Sequence, residues 1–284
     1  MSAHGWTTPA REALRVGAGF RLADLDPRET PGYEGSKTTG AADLADGVPT
    51  LDDLQERLFA QSVAGTASGS VLLVLQGMDT SGKGGIVRHV VGAVDPQGVE
   101  LASFKKPTAE ELQHDFLWRI AKRLPARGKI GVFDRSHYED VLIGRVRSLA
   151  PADEIERRYG AIERFEADAA DRGIRVVKVM LHISKDEQKE RLAARLDRPE
   201  KHWKYNPGDV DERELWDDYM AAYQVMLERT STDVAPWFVV PADRKWFARL
   251  AVQRLLLAAL DDIDPRWPVA DYDVEREKER LASS

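Results

Sequence analysis

The 284-residue sequence predicts an α/β fold in which a parallel central sheet is covered by helices on both faces. From residue 51 onward, short apolar runs rich in β-branched residues alternate with longer segments of helical periodicity, which is typical of such sheets. The first apolar run, over 71–76, is followed directly by a glycine-rich turn and a helix. This order of strand, turn and helix is typical of sites that bind phosphate groups.

The chain is predicted to have three parts. Residues 1–50 are rich in Gly, Pro, Thr and charged residues and show no sustained period, so we expect an extended N-terminal arm. The main domain is expected over 51–265, beginning with a helix over 51–63 whose leucines share one face. Residues 266–284 are expected to form a C-terminal tail with a charged end.

Within the main domain, five strands are expected to alternate with helices. The strands are predicted over 71–76, 99–104, 130–134, 176–183 and 237–240, and the helices over 83–94, 108–124, 153–172, 185–196 and 245–260. Thr108 and Glu111 have the spacing of a capping box at the start of the second of these helices. Pro199 prevents the fourth helix from continuing further.

The composition excludes several classes of protein. A net charge of −7 argues against a general nucleic-acid binder, and the absence of cysteine excludes disulfides and cysteine-ligated metals. No apolar stretch approaches the length of a membrane span, and the first residues lack the apolar segment of a signal peptide. We therefore expect a cytoplasmic protein that acts on neither nucleic acid nor membranes.

The turn from Gly77 to Lys83 is the first candidate site. In such a turn, backbone N–H groups converge on phosphate oxygens, the helix N-terminus adds its positive dipole end, and the lysine adds a mobile charge. Gly84 stands where a serine or threonine usually reaches the metal, so the carboxylate of Asp79 is the candidate to hold magnesium. The predicted phosphate-binding residues of the turn are Gly77, Thr80, Ser81, Gly82, Gly84 and Gly85. A glycine-rich connection without a ligand is the alternative interpretation.

A second candidate site follows the third predicted strand. Ligands gather at the carboxyl ends of parallel strands, so Asp134 should lie beside the glycine-rich turn and is a candidate to hold magnesium. Arg135 is placed to neutralise charge on a transferred phosphoryl group. Alternatively, Asp134 caps the following helix. His137 is either a general base or a structural residue, and the structural interpretation is favoured because phosphoryl transfer to a phosphate needs no strong base.

A third candidate site is a basic segment after the fourth strand, where we predict a lid over about 185–210. Its cationic residues are Arg191, Arg195, Arg198, Lys201, His202 and Lys204. Arg191, Arg195 and Lys204 are predicted to bind phosphate groups when the lid closes, while a solvated basic helix face is the alternative. Arg145, in another basic stretch, is a further candidate for contacts with a long polyanion or with acceptor phosphates.

Several stretches resemble the polyphosphate kinase 2 family. They are GMDTSGKGG at 77–85, FKKPT at 104–108, DRSHYEDVL at 134–142, HISKDEQKERL at 182–192, RLDRPEKHWK at 195–204 and TSTDVAPW at 230–237. The resemblance runs from about residue 15 to residue 260. It implies a three-layer P-loop kinase fold with a helical lid, related to thymidylate kinases. It also implies a homo-oligomer, either a dimer or a tetramer.

The resemblance implies magnesium-dependent, reversible phosphoryl transfer between inorganic polyphosphate and a nucleotide, with ADP or AMP as acceptor and ATP among the products. Asp79, Lys83, Asp134, Arg135 and Arg195 match the catalytic positions of the family, and Asp79 and Asp134 match its metal positions. The lid and the TSTDVAPW stretch look most like the subgroup that acts on both AMP and ADP. Members vary between Asp and Asn at Asp134, so the preferred acceptor stays open.

Other functions are compatible with a P-loop. An ATP-dependent kinase of nucleoside monophosphates or small metabolites would share the sheet and the turn, but polyphosphate would be inert with it. A module that only binds nucleotide or polyphosphate would not need the predicted pair of metal-binding carboxylates. A GTPase-like switch is disfavoured because the sequence has no Asn-Lys-x-Asp motif that reads guanine.

Overall fold

A sheet of five parallel strands forms the centre of the protein, and the computed structural model describes residues 5–284. The strands are β1 Ser70–Gln76, β2 Val99–Ser103, β3 Ile130–Asp134, β4 Ile174–His182 and β5 Trp237–Pro241, in the spatial order β2-β3-β1-β4-β5. β1 lies in the middle, and all seven of its residues are buried, as its continuous apolar sequence requires. The predicted α/β class with a parallel sheet is confirmed.

Helices pack against the sheet in two groups. The helices of the described residues are α1 Ala10–Ala13, α2 Lys37–Asp46, α3 Val48–Val63, α4 Lys83–His89, α5 Trp118–Ala121, α6 Ile143–Val146, α7 Ala152–Asp171, α8 Lys185–Leu196, α9 Gly208–Glu214, α10 Trp216–Thr230, α11 Lys245–Ile263 and α12 Val274–Ala282, of which α12 buries none of its residues. In one group, α11 contacts α1, α2, α3 and α4 as well as the sheet. In the other, α7 contacts β4, α6 and α10. The result is the expected three-layer arrangement.

The N-terminal segment is not extended, contrary to expectation. It contains α2, which begins at a capping box formed by Ser36 and Thr39. The segment also packs on the core, since the ring of Tyr33 is buried against aromatic residues and its hydroxyl donates to Asp43 Oδ2 at 2.7 Å. The sequence of α2 is made of small and polar residues, and its buried positions include Gly40 and Asp43, so it shows no apolar period.

The helix predicted over 108–124 is also wrong. Both capping-box hydrogen bonds form, from Thr108 N to Glu111 Oε2 and from Glu111 N to Thr108 Oγ1, at 2.8 and 3.2 Å. The segment continues only as a 3-10 turn and the single-turn α5. Leu112 is 70% exposed, so the first part of the segment buries no apolar face, and short helices without packing are marginal in water.

Two further helices, α4 and α10, differ from expectation. α4 ends at His89, five residues earlier than expected, and the chain continues as a 3-10 turn over Val91–Ala93. α10 was not predicted, although its Tyr219 and Tyr223 line a cavity beside the glycine-rich turn. Among residues 5–284, no helix is both long enough and apolar enough to cross a membrane.

The register of the sheet places the predicted site residues at one edge. Leu75 of β1 is aligned with Asp134 of β3, and Gln76 is aligned with Met180 of β4. β1 therefore delivers the glycine-rich turn to the carboxyl end of the sheet, beside the end of β3. The edge lies where the strand order reverses around β1, which is the usual ligand-binding crevice of such sheets.

We predict that Gly40→Ala destabilises the protein although alanine is the better helix former. A Cβ at Gly40 would collide with the ring of Trp246 on α11, and overpacking of this kind costs about 1–3 kcal/mol. The helix-propensity gain of about 0.5–1 kcal/mol offsets only part of that cost. The free energy of unfolding from urea titration measures the net effect. Gly160→Ala in α7 is the matched control, because its Cβ would meet only the flexible end of Arg164. If Gly40→Ala were as stable as Gly160→Ala, α2 would not pack on α11 as described.

Candidate active site

The glycine-rich turn between β1 and α4 has a backbone that its glycines permit. Gly77 and Gly82 have φ values of 143° and 118°, in the region that favours glycine. A Cβ on Gly77 would also lie 2.6 Å from the carbonyl oxygen of Leu181 on β4. Thr80 has a φ of 66° despite its branched side chain, so the turn holds a strained conformation of the type found at ligand-binding sites.

Lys83 lies under the turn and is buried. Its ammonium donates to the carbonyl oxygens of Gly77 and Met78, at 2.7 and 3.3 Å. Burial lowers the pKa of Lys83, and the nearby carboxylate of Asp79 opposes that change. Two of the three ammonium protons are used by the turn, which leaves one for a ligand.

Asp79 and Arg135 connect the turn to the end of β3. A nitrogen of the Arg135 guanidinium donates to Asp79 Oδ1 at 2.6 Å. Burial alone would raise the pKa of Asp79, but Lys83 and Arg135 outweigh it and hold that pKa below its ordinary value. Arg135 has a φ of 64°, so this contact also depends on a backbone conformation that residues other than glycine rarely adopt.

A cleft of about 790 Å³ lies over the turn and the end of β3. The structure brings most of the predicted site residues to its walls. They are Asp79, Thr80, Ser81, Gly82, Lys83, Gly84, Gly85, Asp134, Arg135, Arg195 and Lys204. Gly77 lines a smaller cavity, which is also lined by Asp79. Three segments that are distant in sequence therefore meet at one site, as the predicted sheet requires.

The donor set of the cleft suits a hard divalent cation. Asp79 and Asp134 supply carboxylate oxygens, which magnesium and calcium prefer. The buried hydroxyls of Thr80 and Ser81 have no hydrogen-bond partner among residues 5–284, so the turn has polar capacity for a ligand. Within the same residues, no three acidic or histidine side chains are grouped to hold a metal. The two aspartates would share a cation with phosphate oxygens or water.

α8 crosses above the turn, and Arg191 on it is buried. Its five N–H groups are all occupied: Nε donates to Glu187, Nη1 to the carbonyls of Thr80 and Ser81, and Nη2 to those of Ala242 and Asp243, at 2.6–3.2 Å. In this arrangement Arg191 has no donor left for a phosphate group, contrary to expectation. Its side chain instead joins the turn to the loop after β5.

Arg195, one helical turn further along α8, is a quarter exposed and reaches the cleft. It donates to the carbonyl of Lys204 at 3.0 Å and contacts Asp209 Oδ2 at 3.4 Å. Burial and the nearby Asp79 raise the pKa of Asp209. Asp209 was missed in the sequence, because it lies in the acidic start of α9 and has the pattern of a solvated helix face.

A basic groove of about 440 Å³ leads away from the cleft beside Thr80. Its cationic residues are Arg191, Arg195, Arg198, Lys201, Lys204 and Lys245. Burial lowers the pKa of Lys245, and neighbouring arginines lower it further. Lys245 was not predicted, although its place directly after β5 puts it at the same edge of the sheet. Two glutamates, Glu187 and Glu190, also line the groove, so its charge is positive on balance and suits a polyanion.

A smaller cavity of about 220 Å³ shares Asp79, Arg135 and Asp209 with the cleft. Its walls mix apolar and polar side chains, among them Met78, Glu139, Leu142, Ile143, Asp209, Tyr219 and Tyr223. Burial raises the pKa of Glu139. The tyrosines come from α10, so no motif near the turn could have indicated them.

Arg145 was predicted to bind phosphate groups, but within the described part of the chain it lines none of these three cavities, the cleft, the groove and the smaller cavity. It lies on α6, and its guanidinium is 3.8 Å from Glu156 of α7. A basic residue in an exposed stretch has no sequence signal that distinguishes a ligand contact from a surface ion pair.

The sequence profile described as Polyphosphate kinase 2 (PPK2) matches residues 36–268, which is most of the chain. The chain belongs to the polyphosphate kinase 2 family. The resemblance read from the motifs is thereby confirmed. A protein of Meiothermus ruber named AMP/ADP-polyphosphate phosphotransferase is 43% identical over 257 residues, covering 90% of this chain and 94% of the relative. A protein of Rhodopseudomonas palustris named ADP-polyphosphate phosphotransferase is also 43% identical, over 90% of this chain and 91% of its own.

A solved structure extends this likeness to three dimensions. The crystal structure of polyphosphate kinase 2 from Arthrobacter aurescens TC1 superimposes with a TM-score of 0.96 at 58% sequence identity, covering 100% of both chains. At this identity the likeness concerns the sequence as well as the fold. The cleft over the glycine-rich turn therefore lies in a polyphosphate kinase 2 fold.

We predict that Arg191→Ala destabilises this polyphosphate kinase 2 chain by about 2–4 kcal/mol, because it leaves buried carbonyls and Glu187 without their donor. Chemical denaturation of the purified variant gives the change in free energy of unfolding. Arg198→Ala is the control, since Arg198 is 63% exposed and forms a surface ion pair with Glu200; it should change stability by less than about 0.5 kcal/mol. Equal stabilities of the two variants would contradict the structural role of Arg191.

Proposed function

We propose that this protein transfers the terminal phosphoryl group of inorganic polyphosphate to ADP and to AMP, reversibly. The observation that carries the proposal is the basic groove, which meets the cleft over the glycine-rich turn at Thr80 and Arg195. An ATP-dependent kinase needs cations for three phosphates, whereas this row of cations extends along the lid. The names of the Meiothermus ruber and Rhodopseudomonas palustris relatives support polyphosphate as donor and ADP or AMP as acceptor.

The two cavities reach the glycine-rich turn beside different helices. The groove reaches Thr80 from the side of α8, and the smaller cavity reaches Asp79 and Arg135 from the side of α10, and their linings share no residue. We infer that polyphosphate lies in the groove and that the acceptor approaches through the smaller cavity. Separate sites let donor and acceptor enter independently, as direct transfer between two bound phosphates requires.

The cofactor proposed for the reaction is Mg²⁺, held by Asp79 and Asp134. When bound, it would neutralise part of the charge of the donor and acceptor phosphates. Asp79 is suited to the task because Lys83 and Arg135 keep it ionised. Asp134 lies at the end of β3, and its backbone is fixed by the hydrogen bond from Phe104 N to its carbonyl, at 3.1 Å.

The catalytic cations in this proposal are Lys83, Arg135 and Arg195. Each lines the cleft, and each can donate to the equatorial oxygens of a phosphoryl group in transfer. Arg195 would exchange its contact with Asp209 for a phosphate oxygen as the lid closes. No general base is required, because the terminal oxygen of the acceptor is already an anion. A homo-oligomeric state and a cytoplasmic location stay predictions from the sequence.

We predict that the purified protein forms ATP from polyphosphate and ADP, and ADP from polyphosphate and AMP, when Mg²⁺ is present. Chromatography of the nucleotides, with each acceptor supplied separately, measures both reactions. ATP in place of polyphosphate is the control donor for AMP. The proposal is wrong if ATP serves as donor and polyphosphate does not, and it narrows to the diphosphate if AMP yields no ADP.

We predict that Asp79→Asn and Asp134→Asn each lower kcat at least about a hundredfold and raise the Mg²⁺ concentration needed for half-maximal rate. The reason is that each change removes a negative oxygen ligand while keeping the size of the side chain. Asp153→Asn, in the exposed first turn of α7, is the control and should leave both quantities unchanged. A wild-type Mg²⁺ response in either variant of the pair would place the metal elsewhere.

A further inference from the structure

A buried polar network lies beneath the turn that follows β3. Its side chains come from three elements: Lys178 from β4, Glu166 from α7, and His137 with Tyr138 from the turn itself. None of the four is more than 2% exposed. None lines the cleft, the groove or the smaller cavity, so the network does not contact substrate in the described structure.

Lys178 is the centre of the network. Its ammonium donates to Glu166 Oε2 at 2.6 Å, to the hydroxyl of Tyr138 at 2.9 Å and to the carbonyl oxygen of Thr230 at 2.6 Å. These three bonds use all of its protons. Thr230 ends α10 and also accepts, through Oγ1, from the indole of Trp237 at the start of β5.

Glu166 transmits this arrangement to the turn. Its Oε1 accepts from the Tyr138 hydroxyl at 2.7 Å and lies 3.1 Å from His137 Nε2. Burial would raise the pKa of Glu166, but Lys178 and His137 outweigh it and hold that pKa below its ordinary value. A single carboxylate thus holds two consecutive residues of the turn.

The residue that needs this support is Arg135, three positions before Tyr138. Its φ of 64° is strained for a residue with a Cβ, and such conformations persist only where the surroundings determine them. From the β1 side, Gln76 Nε2 donates to Ser136 Oγ at 3.1 Å, and the same oxygen accepts from Tyr138 N at 3.2 Å. The backbone around Arg135 is therefore fixed from β1 on one side and from the buried network on the other.

We propose that Tyr138, Glu166 and Lys178 are positioning residues, which hold the Asp134–Arg135 backbone so that the Arg135 guanidinium meets Asp79 and the transferred phosphoryl group. The proposal rests on the proposed function for the reaction itself. This positioning role differs from a stabilising role, because a buried ion pair contributes little net stability compared with apolar packing. If the network serves to position the backbone, a conservative change within it should lower kcat more than it lowers the free energy of unfolding.

The first test is Tyr138→Phe, which removes one hydroxyl and leaves the ring in place. We expect kcat for ATP formation from polyphosphate and ADP to fall about tenfold, with less than about a twofold change in KM for either substrate. The matched control is Tyr33→Phe, because Tyr33 also donates to a buried carboxylate at 2.7 Å but lines neither the cleft, the groove nor the smaller cavity. Thermal unfolding should show similar small losses of stability in the two variants, and only Tyr138→Phe should lose kcat.

The deciding test is a double-mutant cycle with Arg135→Ala. If Tyr138 acts through Arg135, Tyr138→Phe should cause no further loss of kcat in the Arg135→Ala background. An equal fold-loss in both backgrounds would overturn the positioning role, as would a Tyr138→Phe enzyme with wild-type kcat. If Tyr138→Phe does not fold, the double variant Glu166→Gln/Lys178→Met replaces it in the cycle with the same expected result, because it removes both buried charges together. Wild-type turnover is measured alongside: its absence refutes the proposed function and this inference together, whereas a failure of the cycle alone refutes only the inference.

Discussion

The contact between Asp79 and Arg135 is the interaction on which the arrangement of the site depends. It joins the glycine-rich turn to the end of β3 at 2.6 Å. The backbone is strained at Thr80, the residue after Asp79, and at Arg135 itself. Both side chains are partly exposed, so the contact does not bury an isolated charge. Arg135, together with Lys83, holds the pKa of Asp79 below its ordinary value, so a carboxylate and a guanidinium stand side by side at the wall of the cleft.

The charge of the cleft contrasts with that of the whole chain. The protein carries −7 overall, yet the cleft is lined by six cationic side chains, Lys83, Arg88, Lys105, Arg135, Arg195 and Lys204, against three carboxylates, Asp79, Asp134 and Asp209. Local excess of one sign in a concave site attracts a polyanion even when the net charge opposes it. α8 divides its arginines between two tasks: Arg191 fixes the turn, and Arg195 remains available to the ligand.

The sequence predicted the parts of the fold whose physical cause is local. The strands were evident from continuous apolar runs, and Gly77 and Gly82 indicated the turn because their backbone conformations favour glycine. Neither α2 nor α10 was predicted. α2 packs closely on α11 at Gly40, so its sequence shows no apolar period. α10 lies beside segments whose function was interpreted from charged residues and not from apolar periodicity. The capping box at Thr108 shows the converse, since its hydrogen bonds form without a helix.

The same distinction applies within the site. Asp79, Lys83, Asp134 and Arg135 lie at or after strand ends, so the sheet alone brings them together. Asp209 reaches the cleft, and the tyrosines of α10 reach the smaller cavity, only through tertiary packing. The role of Arg191 was misjudged because residues one turn apart on a helix share a face but not an environment: the side chain nearer the sheet meets backbone carbonyls, and the next one meets the open cleft. Spacing indicates which side of a helix faces a site. How close the arginine lies to the sheet determines whether its guanidinium binds backbone carbonyls, as Arg191 does, or lies at the cleft, as Arg195 does.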